Sequence, residues 1–216
     1  GVIGKLLNYL RSWTAPHHTK SGFYFSLKLL HFRNEIVYES MFQFIPCFRC
    51  HIMNIDPSIR NQACICLIKL CEYEPAIEEC IDCEVPETLY QYIVGQPADF
   101  VEQSFKLILV FVNSPARPLF LTEEFVDSIS KILCMSAEEK SARELSLGDI
   151  FLVLISIEED VRSIMEQKDI FRLTALYIKY GYSSIKIHAC VLLAHALSNC
   201  QKDIREELIS ECEAVE

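Results

Sequence analysis

Apolar residues recur at helical spacing along almost the whole chain, broken by short polar stretches that carry Pro, Gly, Ser or Asn. Residues 2–13 set Val2, Ile3, Leu6, Leu7 and Leu10 on one face of a helix. Thr14 to Lys20, with Pro16, reads as a loop, and a helix from about Gly22 to Phe32 follows. Asn34 can cap a shorter helix through Phe44, and Pro46 opens another to about Met53. The stretch from Asp56 to Gly95 holds three helix starts. Asp56-Pro57 caps and opens a long helix, Pro75 a short one, and Pro86 a medium one that Gly95 ends.

The same logic covers the rest. Pro97 opens a long helix to about Asn113, Ser114-Pro115 turns, and a short segment spans Pro118 to Leu121. Thr122 caps a helix from Glu123 to Met135. Ser136 with Glu139 makes a capping-box pattern that starts a stretch to Ile157, with a break near Gly148. Helices near 159–167 and 169–180 follow; Gly181 ends the second. Ser183 or Ser184 starts the last long helix, to about Asn199, and residues 202–212 form a final one. No strand is predicted.

Shifting the chain against itself brings out a period near 42. Ala63-Cys64 falls on Ala189-Cys190, three periods on, and Leu67 and Leu70 fall on Leu109 and Val112, Phe151 and Leu154, Leu193 and Ala196. A period of about 40–47 residues with two or three helices marks armadillo or HEAT arrays. The segment Ala63, Leu67, Lys69-Leu70 resembles the third helix of an armadillo repeat, and Cys83-Glu84-Val85-Pro86 resembles that family's small-Gly-hydrophobic-Pro junction. The resemblance implies an all-α, right-handed superhelical solenoid, with one armadillo-like domain over 1–216. It would hold about four full repeats (34–72, 73–114, 115–157 and 158–199) and partial ones at the ends. Two family features are missing. Gln43, Cys83, Glu124 and Lys168 stand at or next to the junction Gly, which leaves a two-helix HEAT-like unit as the alternative. The groove Asn is replaced by Leu29, Lys69, Phe111, Val153 and His195, so the clamping of extended basic peptides by those Asn residues is not carried over.

In such an array the third helices line a concave groove, at roughly 8–10 Å per helix pair, on the order of 40 Å for five of them. Its ladder would hold Lys69, Phe111, Val153 and His195, with Tyr73, Ile157 and Asn199 one turn on. Phe111 and Tyr73 are the expected anchors, because aromatic side chains dominate interface energetics. The expected function is a non-catalytic scaffold or adaptor that binds a protein or peptide partner in the groove. We expect no enzyme activity, no cofactor and no small-molecule substrate.

Composition narrows this further. The chain is 51% hydrophobic with only 6 Gly, enough for a sizeable core, and its net charge of −10 argues against nucleic acid as a partner. The longest apolar run, Leu107 to Val112, is too short to span a bilayer. Most of the 11 Cys, among them Cys64, Cys66, Cys134 and Cys190, sit in apolar helical runs as small hydrophobes. With no signal-peptide pattern at the start, this predicts a reduced cytoplasmic protein, or a nuclear one. The chain starts and stops inside helical patterns, as a piece of a longer protein would.

Two motifs carry metal chemistry. Cys47-Phe48-Arg49-Cys50-His51 has the c-type haem attachment pattern, against an ordinary repeat helix. Cys47, Cys50, Cys80 and Cys83 supply two C-x-x-C pairs for a structural zinc, the alternative function, against buried free thiols. His17-His18 reads as a surface pair in a loop, and His188 as a packed or exposed side chain. The acidic groups Glu78-Glu79, Glu123-Glu124 and Glu158-Glu159-Asp160 read as solvated edges or helix N-terminal charges.

Overall fold

The computed structural model describes residues 16–96, 102–138, 144–181 and 183–199, together with positions 206 and 209. These residues are helical apart from turns, and none of them lies in a strand. Contacts divide the chain into two units, Gly1–Leu89 and Tyr90–Glu216.

The first unit contains α1 (Pro16–Leu30), α2 (Glu35–Met41), a 3-10 turn (Phe42–Phe44), α3 (Ile45–Ile52), α4 (Pro57–Leu70), α5 (Pro75–Asp82) and the start of α6 (Val85–Gly95). Local chemistry explains the starts. The Ile36 amide donates to Asn34 Oδ1 at 3.0 Å, and the Ser58 amide to Asp56 Oδ1 at 2.8 Å, so both side chains take up a donor that the first helical turn cannot satisfy. Pro57 and Pro75 occupy the first turns of α4 and α5. α4 is the centre of this unit and packs on α1 and α3. Its inward face holds Ile59, Ala63, Cys66, Leu67 and Leu70, all buried. One boundary departs from expectation. Pro16 opens α1, so His17 and His18 belong to a helix, because Pro at the first helical position favours the helix as readily as it favours a loop.

The second unit continues α6 from Tyr90 and adds α7 (Glu102–Val112), a 3-10 turn (Arg117–Phe120), α8 (Glu123–Glu138), α9 (Glu144–Gln167), α10 (Ile170–Tyr180) and α11 (Ser183–Asn199). α9 packs on α7 and on α11, which makes a row of three long helices; α8 and α10 pack on each other and on α9. Phe105, Phe111, Phe120, Phe125 and Phe151 are fully buried in its core. Each such side chain contributes about 1.5–3 kcal/mol by leaving water. The Tyr177 hydroxyl, buried against the edge of Phe151, donates to the Leu133 carbonyl at 2.7 Å.

Two expected breaks are corrected. Ser136 does not start a helix: α8 runs through it to Glu138, because the apolar face of Ile132 and Leu133 carries the helix past the capping-box pattern. α9 is not broken at Gly148; the boundary expected after Ile157 falls instead at a kink at Val161, whose φ of −121° and ψ of 16° leave the helical region. Gly181 ends α10 as expected. A Cβ there would stand 2.4 Å from the Tyr177 carbonyl oxygen, so only glycine fits without a shift. The expected helix at 2–13 lies outside the described residues, as does all of 202–212 except positions 206 and 209. No helix among the described residues is long and apolar enough to cross a membrane.

Candidate functional site

In the first unit, the end of α4 brings Lys69 and Tyr73 to the surface. Both are half-buried. Lys69 Nζ pairs with Glu72, whose other oxygen is 3.4 Å from Arg33 Nη2. The Tyr73 hydroxyl donates to Glu35 Oε1 at 2.9 Å, and its ring stacks on Tyr38 and Phe42, with centroids 5.2 and 6.2 Å away. The bond to Glu35 pushes the Tyr73 phenol above its ordinary pKa, since the proton is held by a carboxylate; partial burial adds to this. Phe32 and Ile36, near the same segment of chain, are exposed. The result is a mixed aromatic and charged surface with its polar groups already paired.

The second unit corrects the expected ladder. Phe111 and Val153 are fully buried and present nothing to a partner. They lie in α7 and α9, which pack on each other, so the positions read as groove are core. His195, one period on, is exposed on α11. Asn199 is the last residue of α11, and its side chain lies outside the described residues.

His195 stands beside a group that the sequence reading misassigned. Glu158 is not part of a solvated edge: it is 0% exposed, while Glu159 and Asp160 are exposed. Its Oε1 accepts from Arg162 Nε at 2.5 Å, an i, i+4 pair along α9. Its Oε2 has no hydrogen-bond partner, and His195 Nδ1 is 3.8 Å away. The signal was present: Leu154, Glu158 and Val161 share one helical face, and both neighbours are buried. Glu78, Glu79, Glu123 and Glu124 are exposed.

Sequence reasoning also missed two arginines that tie distant segments. Arg49 Nη1 donates to the Cys83 carbonyl at 3.0 Å and to Glu84 Oε2 at 2.6 Å. Arg117 donates to the Val112 carbonyl at 3.0 Å, the Ser156 carbonyl at 2.6 Å and Asp160 Oδ2 at 2.5 Å.

The paired cysteines do not form a four-thiol site. Cys47 and Cys50 are exposed on α3, Cys80 is buried and Cys83 half-buried. Cys80 Sγ lies 3.8 Å from Cys71 Sγ, a thiol the zinc reading left out. Among the described residues no group of three or more His, Cys, Asp or Glu is placed to hold a metal ion. The hydrogen bond with Cys71, and then burial, push the Cys80 thiol far up; burial pushes Cys64 up to about 12 and raises Cys66 further. These thiols stay protonated and unreactive at neutral pH. Cys134 and Cys190, expected in apolar packing, are exposed instead. His51 of the haem-like pattern is packed edge-on to Phe23 with centroids 5.4 Å apart, and its Nδ1 is 3.3 Å from Asn54 Nδ2. Burial lowers its pKa.

No family model, no curated protein and no solved structure matches this chain.

Proposed function

We propose that the chain is a non-catalytic interaction scaffold built of armadillo-like helical repeats, which holds a protein or peptide partner against exposed faces of its helices. The observation that carries this is the spacing of its tertiary hydrogen bonds. Glu35 pairs with Tyr73 across 38 residues, Arg49 with Cys83 across 34, Ser130 with Lys168 across 38, Arg117 with Ser156 across 39 and Leu133 with Tyr177 across 44. Stacked units of about 40 residues, each touching only the next, produce bonds of this span. The order of elements supports the three-helix form over the two-helix one. Helical segments follow each other in threes in chain order, at α2–α3–α4, α5–α6–α7, and from the Arg117–Phe120 turn through α8 to α9. The bend at Val161 divides α9 where the next short helix would begin, ahead of α10 and α11.

The partner-facing residues are those of the expected ladder that reach the surface: Lys69 and Tyr73 in the first unit and His195 in the second. The reading carries no catalytic residue and no cofactor. A net charge of −10 favours a protein partner over nucleic acid, and the buried free thiols Cys64, Cys66, Cys71 and Cys80 suit a reducing compartment, cytoplasmic or nuclear.

The test is a comparative pull-down read by mass spectrometry. Wild type is set against Lys69→Ala/Tyr73→Ala and against His195→Ala, each first shown to be folded by circular dichroism. A partner lost from either variant supports the scaffold and names the face used. A partner retained by both, or none captured by wild type, overturns it.

A further inference from the structure

Glu158 sits in α9 just before the bend at Val161, with its carboxylate removed from solvent. Arg162 satisfies one oxygen; the other, Oε2, accepts no hydrogen bond. A buried acceptor is normally paired, and a carboxylate oxygen binds charged donors most strongly. The neighbour beside it, His195 Nδ1 on α11, is 3.8 Å away, too far to bond, on a side chain that is 55% exposed. We infer that Glu158 Oε2 receives a cationic side chain, lysine or arginine, from the protein partner, and that His195 covers it until the partner arrives.

The surroundings select that chemistry. Glu159 and Asp160 follow Glu158 on the surface, and Arg162 is committed to Oε1. Asp160 is paired with Arg117, Glu159 adds negative charge one residue along the helix, and Oε2 accepts a hydrogen bond from no described side chain. An anion would be repelled, and a metal ion would lack further ligands among the described residues. An ammonium or guanidinium on a long apolar stem can reach an oxygen below the surface, and the imidazole can swing aside because more than half of it faces solvent.

This inference rests on the scaffold reading but is tested apart from it. The full chain is titrated with the acetylated peptide (Gly-Lys)3 and with (Gly-Gln)3 as control, following the imidazole signals of His195 by NMR. The expected result is saturable movement of those signals with the lysine peptide alone. Glu158→Gln should weaken the lysine peptide at least tenfold, and His195→Ala, followed by backbone amides of α9 and α11, should bind it as tightly as wild type or a few-fold tighter. Should Glu158→Gln fail to fold for want of a partner for Arg162, Glu158→Gln/Arg162→Met removes both charges together. Binding within twofold of wild type in the Glu158 variants overturns the inference, as does a response confined to Glu159 and Asp160. A pull-down partner lost with Lys69→Ala/Tyr73→Ala but untouched by the Glu158 variants would overturn it too, and leave the scaffold standing.

Discussion

At Glu84 and again at Asp169 the chain turns from one helix into the next through a left-handed residue that is not glycine, with φ of 57° and 55°. Both corners precede an 11-residue helix, α6 and α10. In both, the carbonyl just before the left-handed residue accepts a hydrogen bond from an earlier helix. Arg49 of α3 donates to the Cys83 carbonyl at 3.0 Å, and Ser130 of α8 to the Lys168 carbonyl at 2.9 Å. The holding chemistry differs. The first corner is tied by a charged, half-buried guanidinium that also reaches Glu84. The second is tied by a neutral hydroxyl, helped by Lys168 Nζ, which lies 3.1 Å from Glu123 and 3.4 Å from Asp127. A backbone turn that a glycine would make without strain is imposed here by a donor from a helix some 40 residues back. A left-handed L-residue costs on the order of 1–3 kcal/mol and persists only where its surroundings over-determine it.

The difference is broken most directly at Arg49. Arg49→Ala removes a charge-assisted bond to a carbonyl; its exposed ion pair with Glu84 counts for less than about 1 kcal/mol. We expect a loss of about 2 kcal/mol in urea unfolding. Ser130→Ala removes a neutral bond and should cost about 1 kcal/mol. Equal losses from the two would mean that the charge at the first corner contributes nothing. Asp169→Gly should act in the opposite sense and stabilise by about 0.5–1 kcal/mol, because glycine takes φ of 55° freely and Asp169 makes no side-chain cap bond to its helix.

The corners also show how far the sequence could be read. Helix starts such as Asp56-Pro57, Asn34, Pro75 and Thr122 were legible because caps and prolines act within one turn of chain. Gln43, Cys83, Glu124 and Lys168 were read as places that lack a glycine, and two of them sit one residue before a left-handed one. That their neighbours take the glycine conformation could not be seen, because the donors that enforce it, Arg49 and Ser130, are 34 and 38 residues away. Burial about a helix axis failed for a related reason. A one-residue error turns a side chain by about 100°, enough to exchange core for surface. The period of 42 aligned Phe111, Val153 and His195 with one another but did not say that the first two are buried and the third exposed. Glu158 was taken for an edge because three acids in a row look solvated, although its i−4 and i+3 neighbours are apolar.

Acid should separate the corners further, by a smaller amount. At the second corner hydrogen bonds from Lys131 and Lys168 hold the Asp127 carboxyl below its ordinary pKa, with burial opposing. The bond to Glu123 raises Lys168 despite some desolvation. The Asp127 contribution is therefore complete above the unfolded carboxylate pKa of about 4 and is lost as pH falls through the lowered value. The Arg49 bond to the Cys83 carbonyl involves no titrating group in that range. Amide hydrogen exchange extended from pH 5 to pH 3, corrected for intrinsic rates, should show protection falling more at Leu173 than at Thr88, whose amides donate to the Asp169 and Glu84 carbonyls. An equal fall at both would show that Lys168 and Asp127 do not hold the second corner.

The smallest expected effect is the sharpest comparison. Glu84→Gly relieves the same backbone strain as Asp169→Gly, and more of it, because Asp tolerates the left-handed region better than Glu does. The substitution also removes the carboxylate that Arg49 reaches at 2.6 Å. That carboxylate is 70% exposed, so the pair is worth a fraction of a kcal/mol, while the donor to the Cys83 carbonyl stays in place. Gain and loss nearly cancel, and Glu84→Gly should unfold within about 0.5 kcal/mol of wild type. The double variant Arg49→Ala/Glu84→Gly then isolates the strain. With both members of the ion pair gone, glycine at 84 should recover about 1 kcal/mol relative to Arg49→Ala alone. A recovery near zero would mean that the corner is not strained in the folded state, and that Arg49 acts by holding two helices together rather than by enforcing the turn.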